Sequence, residues 1–203
     1  MPTFPFGILI NPFFIIRYGL YKKISTFAES LDGGNLLDVG CGRKPYQNLF
    51  NVDSYIGIDV KTSGHDHKKS NVDVYYDGKK IPFPDKSFDT VVCFEVLEHV
   101  YDSKTLLTEI NRVLKDGGKV CISCPFVWDE HEQPYDYYRM TSFALPKLGD
   151  DCGFYMSSHW KTTSHVATLA QMLSAYIYQT LLPKSQIVML LFTPMLLAPV
   201  NLA

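Results

Sequence analysis

Two acids are placed where an open α/β sheet could use them on a ligand: Asp38 inside LLDVGCG (residues 36–42) and Asp59 inside YIGIDV (residues 55–60). The first stretch is an apolar run that passes through one acid into a glycine-spaced turn, the pattern of a buried strand leading into a tight bend. Glycines at such a bend let the backbone approach a ligand, and an acid roughly 20 residues further on can accept both hydroxyls of a ribose. Asp59 closes the next apolar run, at the carboxyl end of a strand, where sheets of this kind bind their ligands. Together these residues predict a nucleoside pocket.

A second group of reactive side chains follows later in the chain. EVLEHV (residues 95–100) carries Glu95, Glu98 and His99, and PFVWDEHEQPYDYYRMT (residues 125–141) carries His131, Glu132, Tyr135, Asp136, Tyr137, Tyr138 and Arg139. The aromatics offer rigid apolar walls, and an imidazole there can take a proton from an attacking hydroxyl or amine. The candidate catalytic residues are therefore His131, His99 and Tyr138, although Glu98 and His99 could equally form a charged pair on a helical turn. His65 and His67 flank Asp66, but no further Cys or carboxylate with ligand spacing accompanies them. They read as a solvated loop, and no metal is expected.

The elements that must position these residues alternate. A helix is predicted from about Phe13 to Leu31, stopped by Gly33-Gly34, followed by a strand at Leu36 and a short helix opened by Pro45. Strands follow at 55–60, 72–76 and 88–94, then a helix capped by Ser103 and ended by Gly117-Gly118, then a strand at 119–124. A further strand is expected at 154–160 and a helix from about 166 to 181. Alternation of this kind argues for a parallel sheet covered on both faces. Three segments are expected: an N-terminal apolar segment and helix (1–32), the ligand-binding domain (33–160) and an apolar C-terminal helical segment (161–203).

Bulk properties narrow the function. With 203 residues and 46% hydrophobic content the chain can fill one substantial core. A net charge of −2 lacks the clustered Lys and Arg that nucleic acid requires, so no nucleic-acid partner is expected. The five cysteines, an odd number falling mostly in apolar runs, read as reduced and cytosolic, and Cys121 and Cys124 as ordinary core residues. The N-terminal stretch lacks the basic start and cleavage site of a signal peptide. From Ile187 to Ala203 there is no formal charge. That tail suits a buried helix, a partner interface or peripheral membrane contact, and its prolines and short length argue against a span.

In order along residues 33–160, LLDVGCG, YIGIDV, DGKKIPFPDKSFDTVVCFEVLEHV and RVLKDGGKV resemble the motifs of class I S-adenosylmethionine-dependent methyltransferases. The resemblance implies a Rossmann-like, doubly wound, mostly parallel sheet of seven strands with a reversed last strand. Either Ile187–Phe192 supplies the seventh or the sheet lacks a complete end. It also implies S-adenosyl-L-methionine as cofactor, with Asp38 and the backbone of Gly40, Cys41 and Gly42 at its methionine end and Asp59 on the ribose. Val60 would lie on the adenine face, Asp77 at the adenine amino group and Glu95 at the methionine side. Arg43-Lys44-Pro45 stands where a dinucleotide fingerprint needs another glycine, a defect for a pyrophosphate but not for a ligand without phosphate. The expected activity is methyl transfer to an oxygen or nitrogen of a small-molecule, saccharide or lipid-linked acceptor. A non-catalytic cofactor-binding or scaffold protein is the alternative, and a nicotinamide-dependent oxidoreductase or epimerase a weaker one.

Overall fold

The apolar runs pair as one parallel sheet. The computed structural model describes residues 11–64 and 70–181; in it the strands are Asn35–Val39 (β1), Ser54–Val60 (β2), Val74–Tyr76 (β3), Phe88–Phe94 (β4) and Leu114–Ser123 (β5). Their spatial order is β3-β2-β1-β4-β5, and every neighbouring pair is parallel. Chain order reverses between β1 and β4, which leaves a crevice at the carboxyl ends of those strands.

The sheet is held by burial on both faces. Leu36, Leu37 and Val39 of β1, Ile58 of β2 and Val91, Val92 and Cys93 of β4 are all fully buried, which is why these strands read as continuous apolar runs rather than alternating ones. The helix Ser103–Val113 (α2) lays Leu106, Leu107, Ile110 and Val113 on the same core. Asp102, not Ser103, caps it: the Asp102 carboxylate accepts from the Thr105 amide and hydroxyl, at 3.1 and 2.7 Å. Ser103 is buried and donates to the Val100 carbonyl at 2.7 Å.

Other boundaries differ from the sequence expectation for physical reasons. α2 ends at Val113, and Gly117-Gly118 falls inside β5, where the register against β4 jumps from Leu114 opposite Phe88 to Lys119 opposite Thr90. The glycines accommodate an irregularity in a strand, with Gly117 at φ 73°, instead of ending a helix. After Pro45 the chain makes only a 3₁₀ turn, Gln47–Leu49. The strand expected at 154–160 does not form: these residues take no regular structure and Tyr155 is 90% exposed. An unexpected helix, Ala144–Asp151 (α3), precedes it, with Pro146 in its first turn, where a missing N–H costs nothing. The strand considered at Ile187–Phe192, the apolar tail and the His65–His67 loop lie outside the described residues.

The chain divides into two compact units, residues 27–159 and residues 1–26 with 160–203. The helix Phe14–Glu29 (α1) crosses the boundary. In the second unit, the helix His165–Tyr176 (α4), capped by Ser164, sends the buried Gln171 and Ser174 onto the Pro12 carbonyl, at 2.7 and 3.0 Å. Among the described residues no helix is long and apolar enough to cross a membrane. All candidate site residues lie in the unit 27–159. Leu107 is fully buried in its core; Leu107→Ala should cost about 2–5 kcal/mol, read as a lower urea midpoint with an unchanged slope.

Candidate functional site

The turn after β1 is folded inward. The amides of Gly40 and Cys41 both donate to the Ile58 carbonyl, at 2.9 and 3.1 Å, and the Gly42 amide donates to Asp59 Oδ2 at 3.1 Å. The carbonyls of Cys41 and Gly42 accept from the amides of Lys44 and Asn71, both at 2.7 Å. Gly40 sits at φ 72° with Val96 packed where a side chain would stand, so only glycine fits. Beside Gly42, at φ 49°, the corresponding space is open.

Lys44 locks this turn. It is a non-glycine residue at φ 51°, its side chain is 4% exposed, and its ammonium pairs with Asp73, which also accepts from the Gly57 amide at 2.7 Å. Burial alone would raise the Asp73 pKa, but the Gly57 amide and Lys44 outweigh it and hold the carboxyl below its ordinary value. Lys44, next to the Pro45 that spoils a dinucleotide fingerprint, thus fastens the β1 turn to the entry of β3.

Around the turn stand the expected acids. Asp38 is buried on β1 and accepts from the Tyr55 hydroxyl at 2.6 Å. Burial pushes its pKa up to about 7, against the opposing pull of Tyr55 and Lys44. Asp59, half-buried at the end of β2, accepts one backbone amide on each oxygen, Gly42 on Oδ2 and Val60 on Oδ1, the latter at 2.8 Å. A carboxylate oxygen has two lone-pair sites, so both keep capacity for a hydroxyl. Val60 lies half-buried beside it.

Asp77, past β3, is exposed, and its Oδ1 accepts from the amides of Lys79 and Lys80, at 2.8 and 3.0 Å. One of its oxygens is therefore committed to a turn. Glu95, just past β4, has φ 54°, an unusual conformation held by its amide's bond to the Ser123 carbonyl at 3.0 Å. Its Oε1 accepts from the Ser123 hydroxyl at 2.6 Å, and burial raises its pKa.

The second group converges as well. The 3₁₀ turn Leu97–His99 is tied to the segment after β5: Tyr137 N–H donates to the Glu98 carbonyl at 2.8 Å, and His99 Nδ1 lies 2.7 Å from the Tyr135 carbonyl. The rings of His99 and His131 meet edge to face at 4.7 Å. Asp136 anchors the segment, accepting the Arg139 guanidinium at 2.6 and 2.7 Å and the His131 amide at 2.9 Å. Those bonds overcome burial and hold its pKa far below the carboxylate range. The Tyr138 hydroxyl donates to the Tyr101 carbonyl at 2.8 Å, so its proton is committed to the backbone. Glu98 is 1% exposed, and burial next to Glu95 pushes its pKa up to about 8.

Sequence reasoning missed Lys44, the pairing of Asp136 with Arg139, and the depth of Glu98. The signals were present but ambiguous. A Lys before a Pro, an acid and an Arg three residues apart, and a Glu in a short charged turn all look like surface features until their partners are known.

The Methyltransferase domain family matches residues 37–122. Residues 37–122 thus resemble a methyltransferase domain, in line with a class I S-adenosylmethionine-dependent methyltransferase. An uncharacterised protein of Methanocaldococcus jannaschii is 26% identical over 63% of this chain and 66% of its own length. A fatty-acid O-methyltransferase of Mycolicibacterium smegmatis is 33% identical over 50% of this chain and 41% of its own. The match therefore spans less than two thirds of either relative. Among solved structures, phosphoethanolamine N-methyltransferase 2 of Haemonchus contortus, in complex with S-adenosyl-L-methionine, shares the fold. Its TM-score is 0.57 at 22% identity, over 84% of this chain and 46% of that one.

The crevice suits that family's cofactor. The three turn amides are spent inside the protein and offer no cradle for a phosphate, whereas the acids Asp38, Asp59 and Glu95 suit hydroxyls and an ammonium. In Lys44→Met the Asp73 carboxyl should titrate at higher pH, followed by carboxyl-carbon NMR. Because a lowered folded pKa stabilises only above the unfolded value, the wild type's stability advantage from this pair should be complete above about pH 4 and vanish on further acidification.

Proposed function

We propose that this protein transfers the methyl group of S-adenosylmethionine to an oxygen or nitrogen of a small-molecule, saccharide or lipid-linked acceptor. The observation that carries this reading is Asp59, half-buried at the end of β2 with lone pairs left over, beside a turn whose amides at Gly40, Cys41 and Gly42 are already bonded inward. Such a pocket accepts ribose hydroxyls and gives nothing to a pyrophosphate, which disfavours a nicotinamide cofactor.

In this reading Asp59 binds the ribose, and Val60 and Asp77 border the adenine. Asp38, Glu95 and the Gly40–Gly42 backbone receive the methionine end. Bound there, the cofactor supplies an electrophilic methyl group on a sulfonium. The chain's own contribution is position and exclusion of water. Glu95 is held in place by Ser123, and the segment carrying His131 is held against the 97–99 turn by the Tyr137 amide and the Tyr135 carbonyl, with Asp136 bracing the segment internally. His131, His99 and Tyr138 border the acceptor side, where His131 is the group offered to the acceptor's proton. Relatives and neighbours that include a fatty-acid O-methyltransferase and a phosphoethanolamine N-methyltransferase support both acceptor atoms. The exposed Tyr101 and Tyr137, in edge-to-face contact at 5.4 Å, support an acceptor with an apolar part.

Calorimetry with S-adenosylhomocysteine tests the pocket. Asp59→Ala should weaken binding about 10- to 100-fold, as expected for hydrogen bonds to a charged acceptor, while NAD should not bind the wild type. His131→Ala should keep that affinity and lose turnover of labelled S-adenosylmethionine with whichever fraction of small molecules, glycans or lipids accepts the label. Unchanged affinity in Asp59→Ala would refute the ribose assignment.

The raised Asp38 pKa gives the binding a pH dependence. An ammonium ligand binds the ionised carboxylate, so below about pH 7 binding must release a proton. Affinity should climb as pH rises from 5.5 toward about 7 and level off above it, and Asp38→Asn should flatten the curve.

A further inference from the structure

Glu98 is the least explained side chain in the molecule. Its side chain is wholly inaccessible, and neither carboxylate oxygen accepts a hydrogen bond from a described residue. A buried acid with no donor calls for an unseen partner, a water or a cation. His99 Nε2 lies 3.7 Å from its Oε1.

Both neighbouring imidazoles are set up as ligands. His99 Nδ1 faces the Tyr135 carbonyl at 2.7 Å, and His131 Nδ1 faces the Asp129 carbonyl at 3.2 Å and Asp136 Oδ2 at 3.3 Å. These partners only accept, so in a neutral ring Nδ1 carries the proton and Nε2 is the nitrogen with a lone pair to offer a metal. A backbone carbonyl or carboxylate behind the far nitrogen is the arrangement that orients metal-bound histidines and raises their basicity. One ligand atom from each of Glu98, His99 and His131 lies within 4.8 Å of the others, and Glu132 Oε2 is 3.9 Å from His99 Nε2. Bond lengths of about 2.1 Å to a central ion require ligand separations of roughly 3–4 Å, so small side-chain rotations would close the set.

We propose that Glu98, His99 and His131 form a binding site for a divalent first-row transition-metal ion on the acceptor side of the crevice. Two imidazoles and one carboxylate select such an ion over magnesium, which prefers oxygen ligands throughout. Three protein ligands leave coordination positions open, as in catalytic rather than structural sites. An acceptor oxygen would fit there: such an ion would lower the pKa of a bound hydroxyl, and His131 would then serve as its ligand in place of acting as the base. That last role rests on the methyltransferase reading; the existence of the site does not.

The test is a titration of the metal-stripped full chain with Zn²⁺ by calorimetry, and with Co²⁺ by its visible absorption, without acceptor. Expected are one ion per chain, Co²⁺ bands displaced by Zn²⁺, no comparable binding of Mg²⁺, and a rise in melting temperature with Zn²⁺. Glu98→Gln and His131→Ala should each weaken Zn²⁺ binding at least 10-fold, and His159→Ala, an exposed histidine elsewhere, should not. Circular dichroism and S-adenosylhomocysteine binding of each variant show that it is folded. No Zn²⁺ binding by the wild type, or equal binding by the folded Glu98→Gln and His131→Ala variants, overturns the proposal. If S-adenosylhomocysteine binds and Zn²⁺ does not, only the metal site falls. If Zn²⁺ binds and S-adenosylhomocysteine does not, the metal site stands and the functional reading falls.

Discussion

The Ile58 carbonyl accepts two amides, those of Gly40 and Cys41, and the ligand chemistry of the crevice depends on it. By drawing the turn after β1 onto β2, these bonds spend the donors that a phosphate-binding loop would present. What remains at the surface of the turn is a carboxylate with spare lone pairs. The site is thereby built for hydroxyls and cations, and the glycines serve to let the chain fold inward and to admit Val96 rather than to cradle an anion.

That inward turn needs support, and the support is electrostatic. Lys44 brings a desolvated ammonium beneath the loop, where Asp73 and the face of the Tyr55 ring receive it. The same Tyr55 donates to Asp38, so the cation, the ring and the two acids form one connected set. Such an arrangement tolerates several carboxyl groups at adjacent strand ends because one buried positive charge and directed donors offset part of their mutual repulsion. Burial still dominates at Asp38, Glu95 and Glu98, all of which hold their protons more tightly than in water.

On the opposite side of the crevice, the segment after β5 has no regular secondary structure and derives its order from polar anchors. Asp136, saturated by Arg139 and the His131 amide, is its centre, and two bonds between the segment and the 97–99 turn hold the imidazoles together. Segments of this type carry specificity in folds of this class because a rigid sheet positions them while their sequence stays unconstrained by core packing.

The amino-acid sequence by itself determined the strands next to the site: 88–94 was bounded as observed, and Asp38 and Asp59 were placed at strand ends by the apolar runs that precede them. It also carried the resemblance to the methyltransferase family, and with it the cofactor class, because the motifs behind that resemblance are local features. Tertiary structure alone decided the rest. Gly117-Gly118 reads as a helix stop, yet it sits in β5 because pairing with β4 overrides the local signal. Residues 154–160 read as a strand, yet among the described residues no strand pairs with them. Lys44 looks like a surface lysine until Asp73, distant in sequence, meets it across the turn. Glu98 looks like half of a solvated pair until the segment after β5 covers it. In each case the deciding partner lies far along the chain, and desolvation by that partner, which no local pattern encodes, sets the chemistry.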